Sequence, residues 1–131
     1  MNIENFTKEI EKSNRIIALD FDGVIHNDSK GFFDGTIYGE PIERTETALK
    51  YLSENYKIVI FSCKSNPNRP LINGKTGTEL IWEWLEFYNF KQYISDVVWG
   101  KPNAFVYVDD KGLRFQNWHQ TLYELNSLKN D

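Results

Sequence analysis

Three stretches of the chain are apolar without interruption: Ile16 to Leu19, Ile58 to Phe61 and Ala104 to Val108. A strand with one wet face alternates apolar and polar residues. A strand covered on both faces does not, so runs of this kind belong inside a parallel sheet. Parallel neighbours need crossovers, and segments with helical spacing separate the runs: Ala48, Leu49, Leu52 and Tyr56 in one, Leu80, Ile81, Trp84, Leu85 and Tyr88 in the next. Trp118, Leu122, Leu125 and Leu128 predict a closing helix, Asp96 to Trp99 a further short strand, and Phe6 with Ile10 an amino-terminal helix. The expected fold is α/β, a three-layer, doubly wound (Rossmann-like) parallel sheet with right-handed crossovers.

A length of 131 residues fits one domain over 1–131, and a chain of that size buries about two-thirds of its unfolded surface. The single cysteine, Cys63, suits a reducing compartment. The opening residues lack a basic start followed by an apolar core, and no run reaches about 18 apolar residues. The expectation is a soluble cytoplasmic protein with no membrane partner. With 19 acidic against 15 basic residues the net charge is -4, so no global field attracts polyanions. Stable nucleic-acid binding is therefore not expected, and any phosphate must be held by local groups.

Each apolar run ends in polar residues: Asp20-Phe21-Asp22 after the first, Ser62-Cys63-Lys64 after the second, Asp109-Asp110-Lys111 after the third. In open α/β sheets ligands bind beyond the carboxyl ends of the strands, so three strand ends converge on one crevice. Residues i and i+2 of an extended chain project to the same side, which lets Asp20 and Asp22 face one ligand while Gly23 turns the backbone away. Two such carboxylates suit phosphoryl transfer: one attacks phosphorus, and the other protonates the departing oxygen and later takes a proton from water.

Placed beside them, Asp109 and Asp110 would crowd four carboxylates together, each close pair repelling by about 4 kcal/mol at 4 Å and an effective dielectric near 20. A cation is required. Mg²⁺ is the natural choice, because it takes hard oxygen ligands and needs only one or two carboxylates plus a substrate phosphate. A Ser62 hydroxyl can donate to a phosphoryl oxygen, and Lys101, just before the third run, can supply positive charge over the same edge.

The pattern D-x-D-G-V in Asp20-Phe21-Asp22-Gly23-Val24, then Ser62, Lys101 and the pair Asp109-Asp110, resembles that of the haloacid dehalogenase-like (HAD) superfamily over Ile16 to Trp118. The resemblance implies an aspartyl-phosphate on Asp20 and general acid/base work by Asp22. It implies phosphate held by Ser62 and Lys101, and Mg²⁺ bound by the Asp20 side chain, the Asp22 main-chain carbonyl, Asp109 and Asp110. It favours phosphatase over dehalogenase chemistry. Only about a dozen residues, Asn27 to Gly39, follow the first motif before the next helix, so the resemblance is to small phosphatases of bacteria and phages with no large cap. The implied substrate is a phosphomonoester on a nucleotide, polynucleotide end, sugar or protein. A catalytically idle protein that binds metal and a phosphorylated partner, and a phosphotransferase, are the competing readings. Such relatives often carry an arginine close behind the Ser or Thr, where this chain offers Lys64 and Arg69.

Asn73 to Thr78 lacks the glycine at position 69 that a nucleoside-triphosphate loop requires. The EF-hand pattern fails at Val24 and Ile25. Thr76 to Glu79 offers the groups of a helix capping box. Lys64, Arg69 and Lys75 are candidate contacts to an anionic substrate. The segment 27–39, with Phe32, Phe33 and Tyr38, is expected to form a short hairpin that either flaps over the site or packs down. His26 is expected in solvent, Cys63 in strand-end packing, and Trp82, Trp84, Trp99 and Trp118 chiefly in the core.

Overall fold

Strands β1 (Ile16–Asp20), β2 (Lys57–Phe61), β3 (Ile94–Val98), β4 (Val106–Asp109) and a two-residue β5 (Leu113–Arg114) form one all-parallel sheet in the order β3-β2-β1-β4-β5. Helices α1 (Thr45–Ser53), α2 (Gly77–Phe87) and α3 (Trp118–Lys129) follow β1, β2 and β5. The computed structural model describes residues 15–31, 33–109 and 113–129. The arrangement is the expected Rossmann-like parallel α/β fold. The helix anticipated through Phe6 and Ile10 lies outside the described residues, as does the side chain of Leu128.

Two of the three uninterrupted runs are buried on successive residues, Ile17, Ala18 and Leu19 in β1 and Ile58 through Phe61 in β2, whereas in Ala104 to Val108 only Val108 is buried and Phe105 is exposed ahead of β4. Both faces of the central strands are thus covered, which is why their sequences do not alternate. Removing a large apolar side chain from such a position costs about 2–5 kcal/mol, because the core does not fully collapse into the space left behind. Strand β3 shows the opposite pattern, with Ser95 and Asp96 exposed at the sheet's edge.

Helix α1 packs through Ala48, Leu49 and Leu52, and α2 through Ile81, Trp84 and Leu85. The capping box anticipated for α2 is complete, since the Thr76 hydroxyl accepts from the Glu79 N–H at 3.1 Å and the Glu79 carboxylate accepts from the Thr76 N–H at 3.2 Å. Trp84 and Trp118 are buried as expected, whereas Trp99 is exposed just beyond edge strand β3, where no element among the described residues covers it. Among the described residues no helix is long and apolar enough to cross a membrane.

The order of the strands positions the site. From β1 the chain moves outward through β2 to β3, then crosses back to lay β4 on the other side of β1. The direction of winding therefore reverses between β1 and β4, and the crevice at such a switch point is where ligands of doubly wound sheets bind.

Candidate functional site

The registers of the sheet fix which polar residues meet. Leu19 lies opposite Val108 and Asp20 opposite Phe61, so Asp20 and Asp109 stand at the next step of two adjacent strands while Ser62 follows directly on the other flank. Neighbouring strands are about 4.8 Å apart, so the first acid of the Asp20 motif and the first acid of the Asp109 motif share one rim. Three of the strand ends singled out in the sequence are thereby gathered at the switch point. Asp110 lies outside the described residues.

Each of these side chains is held. One Asp20 carboxylate oxygen accepts from the Phe21 N–H at 2.8 Å, which fixes the rotation of the group. Asp109 is buried, and the Lys101 ammonium lies 2.5 Å from its Oδ2. Lys101 also sits over the rings of Phe61 and Tyr107, 5.7 and 5.3 Å from their centroids, an arrangement that favours a cation. Its loop is tied down by the Tyr107 hydroxyl, which donates to the Pro102 carbonyl at 2.5 Å. Ser62 is buried, and its hydroxyl oxygen accepts from the Lys64 N–H at 3.1 Å, starting the 3-10 turn Cys63–Ser65. Accepting that bond leaves the hydroxyl its own proton to donate.

Immediately after β1 the chain coils into a tight turn, with the N–H groups of Ile25 and His26 both donating to the Phe21 carbonyl at 3.0 Å. Gly23 takes a left-handed φ of 81° in this turn. The coil brings His26 back onto Asp22: His26 Nδ1 lies 2.8 Å from Asp22 Oδ1, while the Lys64 ammonium donates to Oδ2. Burial alone would push the Asp22 carboxyl up, but the hydrogen bonds from His26 and Lys64 and the charge of Lys64 outweigh it, and the group stays below the usual carboxylate range.

Two of these partners were misread or missed in the sequence. His26, expected in solvent, is fully buried, because the turn after β1 folds its ring inward against Phe21 and Trp84. Lys64, considered only as a contact to substrate, is 2% exposed and directed at Asp22. The spacing of Asp22 and His26 was the available signal for the first; for the second, the only signal was its place two residues behind Ser62. Lys64 and Lys75 do not gather, since Lys75 pairs with Glu83 at 2.5 Å on the surface. Cys63, expected to pack, is exposed at the first position of the 3-10 turn.

The segment after the turn leaves at Asn27 and returns at Glu40, where the Asn27 N–H donates to the Glu40 carbonyl at 2.9 Å. Among its described residues it forms turns, not the anticipated hairpin. Asp34 accepts from the backbone and hydroxyl of Thr36, and the Tyr38 hydroxyl accepts from the Lys30 N–H and donates to the Gly31 carbonyl, so local bonds replace a strand ladder. Phe33 is exposed on this loop, and Phe32 lies outside the described residues.

Among the described residues no group of three or more His, Cys, Asp or Glu side chains is gathered to hold a metal. The donor set at the rim nonetheless suits Mg²⁺: Asp20 and Asp109 offer only hard oxygens, and this ion needs just one or two carboxylates beside water and a phosphate. The Asp22 carboxylate is engaged by His26 and Lys64, which leaves its main-chain carbonyl as the ligand it would offer. Comparison with protein-family models, with curated proteins and with solved structures gives no match.

Proposed function

We propose that the protein is a phosphomonoester hydrolase of the HAD type, without a large cap, working through a covalent phosphate on Asp20 and requiring Mg²⁺. The observation that carries the reading is the register that sets Asp20 beside Asp109 at the switch point, with Ser62 on one flank and Lys101 bonded to Asp109 on the other.

In the first step an Asp20 carboxylate oxygen attacks phosphorus and the bond from phosphorus to the leaving oxygen breaks, while Asp22 supplies the proton that oxygen needs. In the second, Asp22 takes a proton from water, the water oxygen attacks phosphorus, and the bond to Asp20 breaks, giving inorganic phosphate and the original carboxylate. Ser62 and Lys101 hold the phosphoryl oxygens. Mg²⁺, held by Asp20, Asp109, Asp110 and the Asp22 carbonyl, would neutralise charge on those oxygens so that a dianion enters an acidic crevice. Asp22 binds that proton against the pull of His26 and Lys64, whose hydrogen bonds hold its carboxyl below the usual carboxylate range.

Phosphate release from an aryl phosphate with Mg²⁺, wild type against Asp20→Asn, tests the reading. Loss of turnover in the variant is expected. Equal rates in the two proteins would remove the covalent mechanism, and Mg²⁺ and phosphate binding without turnover on any ester would leave a binding protein instead.

A further inference from the structure

We propose that His26 is a positioning residue that aims the Asp22 carboxylate and ties it to the base of the loop over 28–39; the catalytic sense of this rests on Asp22 acting as the acid/base. The ring is fully buried and bonded at both nitrogens. Its Nε2 lies 2.9 Å from the Gly39 backbone nitrogen. A backbone N–H only donates, so Nε2 accepts, the ring proton sits on Nδ1, and Nδ1–H donates to Asp22 Oδ1 at 2.8 Å.

The surroundings leave the ring no alternative pose. Phe21 stacks on it at 5.2 Å with planes 5° apart, and the edges of Tyr38 and Trp84 close two further sides at 5.2 and 5.7 Å. Gly39 is fixed in turn by the Trp84 indole, which donates to its carbonyl at 2.9 Å. A Cβ on Gly39 would stand 2.0 Å from the Asn27 carbonyl oxygen and 3.0 Å from His26 Nε2, so only glycine brings its N–H to the ring. A continuous chain of donors therefore runs from Trp84 on α2 through Gly39 and His26 to Asp22, whose other oxygen is held by Lys64. Both oxygens of the carboxylate are pinned. A proton donor needs such aim, because small misplacements of a reacting group cost orders of magnitude in rate.

His26 does not meet substrate, so its removal should be felt where the proton matters and not where it does not. An aryl phosphate with a good leaving group departs without a proton, whereas an alkyl phosphate needs one. His26→Phe keeps the ring and removes both nitrogens, and His26→Asn restores an N–H at the position of Nδ1. His26→Phe is expected to lower kcat for the alkyl ester at least about 10-fold more than for the aryl ester with KM little changed, and His26→Asn to recover most of the difference. Ring ¹⁵N spectra of the wild-type protein provide a readout independent of turnover and of how the variants fold, with an Nδ1–H tautomer as the expected result. An Nε2–H tautomer, or an alkyl-to-aryl ratio unmoved by His26→Phe, overturns the positioning role and leaves the phosphatase reading in place. Wild-type silence toward both esters with the Nδ1–H bond present counts against the phosphatase reading alone.

Discussion

Gly77, the first residue of α2, presses against the backbone of Lys64 so closely that a Cβ added there would stand 1.6 Å from the Lys64 carbonyl oxygen. The start of the helix thus sets the height at which the 3-10 turn behind β2 can deliver its buried lysine. Gly77→Ala forces the two segments apart and is expected to destabilise the protein by about 3 kcal/mol or more, far beyond any gain in helix propensity. Denaturant unfolding measures it, and a loss below about 1 kcal/mol would show that the contact yields.

Lys64 and Asp22 are not symmetric partners, because the lysine is buried and the aspartate is partly open to water, with side-chain exposures of 2% and 23%. Asp22→Ala takes from a buried ammonium the carboxylate it donates to, and is expected to cost about 3–5 kcal/mol. Lys64→Met places an apolar chain of similar length in the same space and leaves Asp22 its histidine, so stability should change by less than about 1.5 kcal/mol while turnover in the proposed phosphatase reaction falls. Thermal unfolding of the two variants side by side decides it, and equal losses would contradict the asymmetry.

The depressed Asp22 carboxyl also makes acid stability predictable. Its pKa in the folded protein lies below the ordinary value of 3.8, so its contribution is fully present above that pH and is lost as pH falls through the lower folded value. In Asp22→Asn the melting temperature should vary less steeply with pH below about 4 than in the wild type. Parallel curves in that window would assign the acid transition to other groups.

Metal binding has a readout that needs no substrate. A ligand that binds only the folded state at about 100 times its Kd stabilises it by about 2.7 kcal/mol. Mg²⁺ is expected to raise the melting temperature of the wild type and to be without effect on Asp109→Asn, with a chelator reversing the rise. An unchanged wild-type melting curve over millimolar Mg²⁺ would remove the metal from the mechanism.

The parts of the molecule that were legible in the sequence are those where one physical rule acts alone. Ile17 to Leu19 and Ile58 to Phe61 read as interior strands because a strand covered on both faces has no reason to alternate, and Asp20 and Asp109 read as neighbours because strand ends converge. Edge strand β3 was visible only as a fragment, since its exposed Ser95 and Asp96 break the apolar run. His26 and Lys64 were not legible. Each belongs to a residue type that is usually wet, and each is buried by tertiary geometry: the turn on the Phe21 carbonyl for one, the reach of the ammonium across to Asp22 for the other. The hairpin anticipated over 27–39 fails for a local reason, because the hydroxyl of Tyr38 and the carboxylate of Asp34 satisfy the backbone groups a ladder would use.

The strand order has a consequence in time. Synthesis runs from β1 outward to β3 before the neighbour that supplies Asp109 exists, and that neighbour must then dock on the flank left vacant. Until Val106–Asp109 has cleared the ribosome the crevice has one wall, so a nascent chain carries Asp20 long before Asp109 can stand beside it.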